Sequence, residues 1–152
     1  MTIKTIILAS DHAGHLLKNI ICDRVTTKGY EIIDLGTNNS DPVDYPDFGH
    51  LAAEEFIRRN ASFGFIFCGT GIGISMAANK HNGIRAALCN DVNSTKLARS
   101  HNDANILALG ERVIDVEIAK ECVDVFINTP FDGGRHSNRV KKIDLINRER
   151  VN

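Results

Sequence analysis

The stretch at residues 63–75, Phe-Gly-Phe-Ile-Phe-Cys-Gly-Thr-Gly-Ile-Gly-Ile-Ser, constrains the fold more than any other part of the chain. It opens with a short apolar, aromatic run of the kind that forms a strand buried on both faces. Cys68 sits at the end of that run. Gly69, Gly71 and Gly73 follow, and then good helix formers from Ile74 to Ala78. A strand, a glycine turn and a helix start together make a βα unit, whose natural setting is a parallel sheet flanked by helices. The same turn gathers outward-facing backbone N–H groups that favour an anion. Positive surroundings of this kind favour the thiolate form of a neighbouring thiol, so Cys68 is a candidate base or nucleophile.

Read in order, the rest of the chain repeats the strand–helix alternation. Residues 5–9 (Thr-Ile-Ile-Leu-Ala) form a β-branched, apolar strand that leads into Asp11-His12-Ala-Gly14. Leu17, Ile20, Ile21 and Val25 recur at helical spacing, and Gly29 stops that helix. Residues 31–35 give a second strand, followed by a polar loop through Asp44-Tyr45-Pro46. Phe48, Leu51, Ala52 and Phe56 mark the next helix. After strand three and its turn, the helix runs to about Asn79. Residues 83–88 form strand four, and Asp91 can cap a helix to about Ser100. Residues 106–109 form strand five, and a helix spans 115–128 with Ala119, Cys122, Val123 and Phe126 on one face. Gly133-Gly134 breaks the chain before a last basic helix with Val140, Ile143 and Ile146.

The expected fold is therefore α/β: a three-layer Rossmann-like arrangement of five parallel strands in the order 2-1-3-4-5, with a C-terminal helical tail. At 152 residues and 43% hydrophobic composition, one domain over residues 1–152 with an ordinary core is expected. There is no internal repeat.

Charge and cysteine usage narrow the function classes. The net charge of −1 gives no reason to expect nucleic acid or a membrane surface as partner. From Arg135 onward there are six basic residues against two acidic, a local surplus of four, which is either a solvated helix face or an anion site. Cys22, Cys68, Cys89 and Cys122 lie far apart, with no Cys-x-x-Cys spacing, so neither a zinc site nor a dithiol motif is expected. The first apolar run is too short for a signal peptide, and the expected location is the reducing cytoplasm.

In sheets of this type, ligands bind beyond the carboxyl ends of the strands, where strand order reverses. That point lies between strands one and three, so Asp11-His12 and the turn at 68–73 fall where a ligand sits. The turn lacks one residue of the dinucleotide fingerprint Gly-x-Gly-x-x-Gly, and no Gly-Lys-Ser/Thr follows. A cysteine phosphatase closes its loop with arginine, whereas position 74 is Ile and the next Arg is Arg85. His101-Asn102-Asp103 ends the helix that returns to the amino side of strand five. These residues are expected at the opposite end of the sheet, about a strand length of 17–20 Å away. If His101 is catalytic, it serves another subunit. Arg135 and Arg139 are four residues apart on one helix face, a pairing that suits a phosphate.

Six ordered motifs resemble ribose-5-phosphate isomerase type B, a family that includes galactose-6-phosphate and allose-6-phosphate isomerases. They are Ser-Asp-His-Ala-Gly near the start, Asp-Tyr-Pro at 44–46, Cys-Gly-Thr-Gly-Ile-Gly-Ile-Ser at 68–75, Ala-Ala-Asn-Lys at 77–80, His-Asn-Asp at 101–103 and Gly-Gly-Arg-His at 133–136. The resemblance covers essentially the whole chain. It implies a cofactor-free and metal-free isomerase of ribose 5-phosphate and ribulose 5-phosphate, in the non-oxidative pentose phosphate pathway. It implies that Cys68 moves the proton between C2 and C1, while His101 of a neighbouring subunit opens the furanose with help from Asp11. Thr70 would touch the reacting hydroxyls, and amides of Gly69, Gly71, Ile72 and Gly73 would hold the enediolate oxygen. His12, Arg112, Arg135 and Arg139 would bind phosphate, with Asn102 and Tyr45 orienting sugar hydroxyls. A homodimer or dimer of dimers with shared active sites is implied. The alternatives are an isomerase of a six-carbon aldose phosphate and a non-catalytic nucleotide- or phosphate-binding module.

Overall fold

In a computed structural model the structure describes residues 4–145. Five strands alternate with helices: β1 (Thr5–Ser10), α1 (His15–Thr26), β2 (Glu31–Asp34), α2 (Tyr45–Arg59), β3 (Phe63–Cys68), α3 (Ile72–Ala78), β4 (Ala86–Leu88), α4 (Val92–Asn102), β5 (Ile106–Gly110), α5 (Val116–Asn128) and α6 (Arg135–Asp144). All strand pairs are parallel. Ile146, expected on the last helix, lies outside the described residues.

The sheet has the order β2-β1-β3-β5-β4. Relative to the expected 2-1-3-4-5, the last two strands exchange places at the far edge, and the crevice between β1 and β3 is unaffected. Burial explains the exchange. β5 (Ile-Leu-Ala-Leu-Gly) is buried along its whole length and suits an interior place, whereas the three residues of β4 are only half-buried and suit an edge.

Strict alternation along the strands divides the core into two layers. Ile6, Leu8, Phe63, Phe65, Phe67, Leu107 and Leu109 face α1, α4 and α5. Ile7, Ala9, Ile66, Cys68, Ile106 and Ala108 face α2 and α3. Phe126 of α5 meets Phe63 and Phe65 edge-to-face at 5.9 and 5.8 Å. Full burial of each such ring is worth about 2–3 kcal/mol. The helix starts follow from short polar caps. Asp91 Oδ1 accepts from the Ser94 amide at 2.7 Å, and Asp115 Oδ1 accepts from the Glu117 amide at 2.8 Å.

Three side chains face otherwise than their helical spacing suggests. Ile20, Leu51 and Ile143 are exposed. On α1 Lys18 is as fully buried as Ile21 and Val25, and its ammonium reaches Asp34 at the end of β2.

Candidate active site

The carboxyl ends of β1 and β3 open into a cavity of about 440 Å³. Cys68, the last residue of β3, is almost fully buried at its base. The Gly71 amide donates to the Cys68 sulfur at 3.0 Å, and the Ile72 amide donates to Thr70 Oγ1 at 3.2 Å. Two of the amides expected to hold an oxyanion are thus engaged within the loop. Among the described residues, those of Gly69, Thr70 and Gly73 have no hydrogen-bond acceptor and remain open.

The loop keeps this shape for two local reasons. Gly71 adopts φ +76, which L side chains rarely tolerate, and a Cβ there would meet Leu88 Cδ1 at 2.6 Å. The turn after β5 clasps the loop from the side. The Glu111 amide donates to the Cys68 carbonyl at 3.0 Å and the Arg112 amide donates to the Gly69 carbonyl at 2.9 Å. This clasp brings the Arg112 side chain over Gly69 and into the cavity wall.

Asp11 and His12 enter from the end of β1. Asp11 is buried, and its Oδ1 accepts from the amides of Ala13 and Gly14 at 2.9 and 3.1 Å. It therefore caps the turn into α1 and also lines the cavity. His12 Nδ1 lies 3.1 Å from the Val43 amide and 3.2 Å from the Val43 carbonyl, so this backbone holds the ring at the cavity edge. Tyr45 closes one side, its ring packed so tightly on Gly73 that a Cβ there would lie 2.4 Å from Cε2. Met76 also lines the cavity, although its sequence carries no polar signal that marks it.

His101, Asn102, Arg135 and Arg139 are absent from this cavity. Register shows why. Cys68 pairs with Gly110 at the carboxyl end of β5, while Gly64 pairs with Ile106 at its amino end. Those ends are about 13 Å apart along the strand, and α4 delivers His101 and Asn102 to the amino end. α6 joins them there: the Asp132 amide donates to the Ser100 carbonyl at 2.9 Å, and Arg85 bonds Asp144. Asn102 borders a larger cavity of about 760 Å³ with residues of β4 and α6. The chemistry-bearing residues thus form two clusters at opposite ends of the sheet.

Electrostatics separate structural arginines from free ones. Arg85 and Arg99 are mostly buried and ion-paired with Asp144 and Asp103. Among the described residues, Arg112, Arg135 and Arg139 are exposed and have no carboxylate partner.

One group of ligating type, His101, Asp132 and His136, has its polar atoms within 4.8 Å of one another. The two imidazoles are stacked with planes 12° apart, so their in-plane lone pairs run side by side and do not converge on an ion. No described helix is long and apolar enough to cross a membrane.

Residues 6–143 match the family model described as Ribose/Galactose Isomerase. Ribose-5-phosphate isomerase B of Escherichia coli (strain K12) is 42% identical over 147 residues, covering 97% of this chain and 99% of that protein. The fold superposes on ribose-5-phosphate isomerase B of Clostridium thermocellum with a TM-score of 0.90 at 49% identity, over 92% of this chain and 95% of the other. It also superposes on ribose-5-phosphate isomerase B of Mycoplasma genitalium with bound ribulose-5-phosphate, with a TM-score of 0.89 at 42% identity, over 92% of this chain and 93% of the other.

Proposed function

The chain belongs to the ribose/galactose isomerase family, and we propose that it interconverts D-ribose 5-phosphate and D-ribulose 5-phosphate through an enediolate. The observation that carries this reading is the gathering of Cys68, Asp11, Thr70, His12 and Arg112 around one cavity at the β1–β3 crevice. Aldose–ketose isomerisation needs one base that takes and returns a proton, fixed donors for the developing oxyanion, and a phosphate anchor remote from the reacting carbons. The cavity offers each in turn.

Cys68 removes the C2 proton of the open-chain aldose and returns it to C1. The open amides of Gly69, Thr70 and Gly73 face the oxyanion, and such donors are worth about 10²–10³ in rate apiece. The Thr70 hydroxyl contacts the reacting oxygens. His12 and Arg112 hold the phosphate. The furanose opens first: His101 of a second copy protonates the ring oxygen while Asp11 assists at the anomeric hydroxyl. Asn102, Arg135 and Arg139 of that copy complete the sugar and phosphate contacts.

The shared-site arrangement is supported by what surrounds the cavity. Tyr45, Ile72 and Met76 are exposed at 43%, 47% and 63%, an apolar rim beside polar chemistry. A second copy covering that rim would bury it and bring the other cluster to Cys68. The four cysteines are unpaired, in keeping with a reducing cytoplasm.

The test is a set of initial rates for the purified chain on ribose 5-phosphate, ribulose 5-phosphate, allose 6-phosphate and galactose 6-phosphate. The highest kcat/KM is expected on the ribose–ribulose pair. No turnover on any of them, with tight calorimetric binding of a nucleotide, would overturn the assignment.

A further inference from the structure

His101 does not stand alone at the end of α4. Its imidazole lies flat against that of His136, with ring centroids 4.3 Å apart and planes 12° from parallel. His136 sits on the first turn of α6, next to Arg135 and three residues before Arg139, and is 9% exposed, while His101 is half-buried. The hydrogen bond from the Asp132 amide to Ser100 pins the loop before α6 to the end of α4. Polar atoms of Asp132 and the two histidines lie within 4.8 Å of one another. Burial, and then the charges of His101, Arg135 and Arg139, push His136 below the ordinary histidine value of 6.5, against an opposing pull from Asp132.

We propose that His136 is a positioning residue for His101, whose stacked ring fixes the plane of the acid and joins it to the phosphate-binding helix. The proposal rests on reading His101 as the ring-opening acid. A flat ring packed against His101 limits how its imidazole can tilt and presents a π face to it. The pair also moves as one unit with Arg135 and Arg139, so acid and phosphate anchor reach a second copy's cavity together.

The consequence is directional. Ribose 5-phosphate is mainly a cyclic hemiacetal. To open, its ring oxygen gains a proton and its anomeric hydroxyl loses one, with no net change. Ribulose 5-phosphate cannot close a five-membered ring, because its 5-hydroxyl carries the phosphate, so it enters the reaction already open. Loss of His136 should lower kcat selectively in the aldose-to-ketose direction, with a compensating fall in the aldose KM, because the equilibrium constant fixes the ratio of the two kcat/KM values.

The experiment measures kcat at saturating substrate in both directions for His136→Ala, His136→Phe and His101→Asn, each expressed as the ratio of aldose-direction to ketose-direction kcat. That ratio is insensitive to the fraction of protein that folds. His136→Ala is expected to lower it about tenfold or more, and His136→Phe, which keeps a flat ring, to restore most of it. His101→Asn is expected to lower it further, toward the about 10²–10⁴ that a general acid contributes. An unchanged ratio in His136→Ala alongside a lowered ratio in His101→Asn would overturn the role of His136 and leave that of His101. An unchanged ratio in His101→Asn would remove the acid itself and the proposal with it. Equal slowing in both directions by His136→Ala, or a phenylalanine no better than alanine, would make His136 a mere support of α6.

Discussion

The Gly71 amide donates to the Cys68 sulfur across 3.0 Å. The thiol is thereby tied to the glycine loop while it packs in the core layer with Ile66 and Ala108. If this sulfur is the proton-transfer group, Cys68→Ala and Cys68→Ser should lose about 10²–10⁴ in kcat. Binding of ribose 5-phosphate, measured by calorimetry, should change little. An unchanged rate would remove Cys68 from the mechanism.

Two glycines of the same loop should fail in different ways. Gly71→Ala combines left-handed backbone with a Cβ 2.6 Å from Leu88 and 2.9 Å from the Leu109 carbonyl carbon. Its cost in denaturant unfolding should be about 2–5 kcal/mol. The three atoms nearest a Cβ at Gly73 all belong to the Tyr45 ring, a side chain that is 43% exposed and has solvent to move into. Gly73→Ala should therefore cost about 1 kcal/mol or less of stability, while raising KM through the displaced tyrosine.

The separation of the two clusters has a direct assay. Cys68→Ala and His101→Ala chains should each be nearly inactive alone when assayed on ribose 5-phosphate. Mixed and allowed to exchange, they should regain about a quarter of the wild-type rate, since half the dimers are mixed and each carries one intact site. No recovery from a mixture shown to contain hetero-dimers would place both residues in one chain's site.

Lys18 tests the buried ion pair beside the site. Its Nζ is fully buried and bonds Asp34 Oδ1 and Oδ2 at 2.8 and 2.6 Å and Asn38 Oδ1 at 3.0 Å. Asp34→Ala leaves the ammonium without its counter-charge and should cost about 3 kcal/mol. Lys18→Met removes the charge along with the pair and should cost far less, the reverse of what simple loss of one bond predicts. Thermal melts of the two variants decide between these outcomes.

His136 gives a pH signature. The unfolded chain protonates this histidine near 6.5, whereas the native state resists to lower pH, chiefly through burial. Below 6.5 the unfolded state binds more protons, so this component of stability is complete above that pH and is lost as pH falls through the native value. His136→Phe should flatten the fall in melting temperature between about pH 7.5 and 5.5. Equal slopes in the two proteins would contradict the direction of the shift.

Much of this was legible along the chain, for a physical reason that differs by element. The apolar runs at β1, β3 and β5 are legible because a strand covered on both faces admits almost no polar residue. Asp91 is legible as a cap because its carboxylate bonds an amide three residues on. His136 is quoted in a sequence motif yet carries no mark of its role, since stacking on His101 depends on how α6 packs beside α4. Lys18 reads as an ordinary solvated lysine, and only the approach of Asp34 from β2 makes its burial tolerable.

The sequence by itself determined the alternation of strands and helices, the glycine turn after Phe67 and the residue types that chemistry could use, because all of these depend on neighbours within a few positions. The tertiary structure alone decided three things. It set β5 inside β4, because burial of whole strands is settled across the sheet. It committed the amides of Gly71 and Ile72 within the loop, because hydrogen-bond partners are chosen in space. It put Cys68 and His101 at opposite ends of the sheet, because parallel register fixes which end of β5 each one meets.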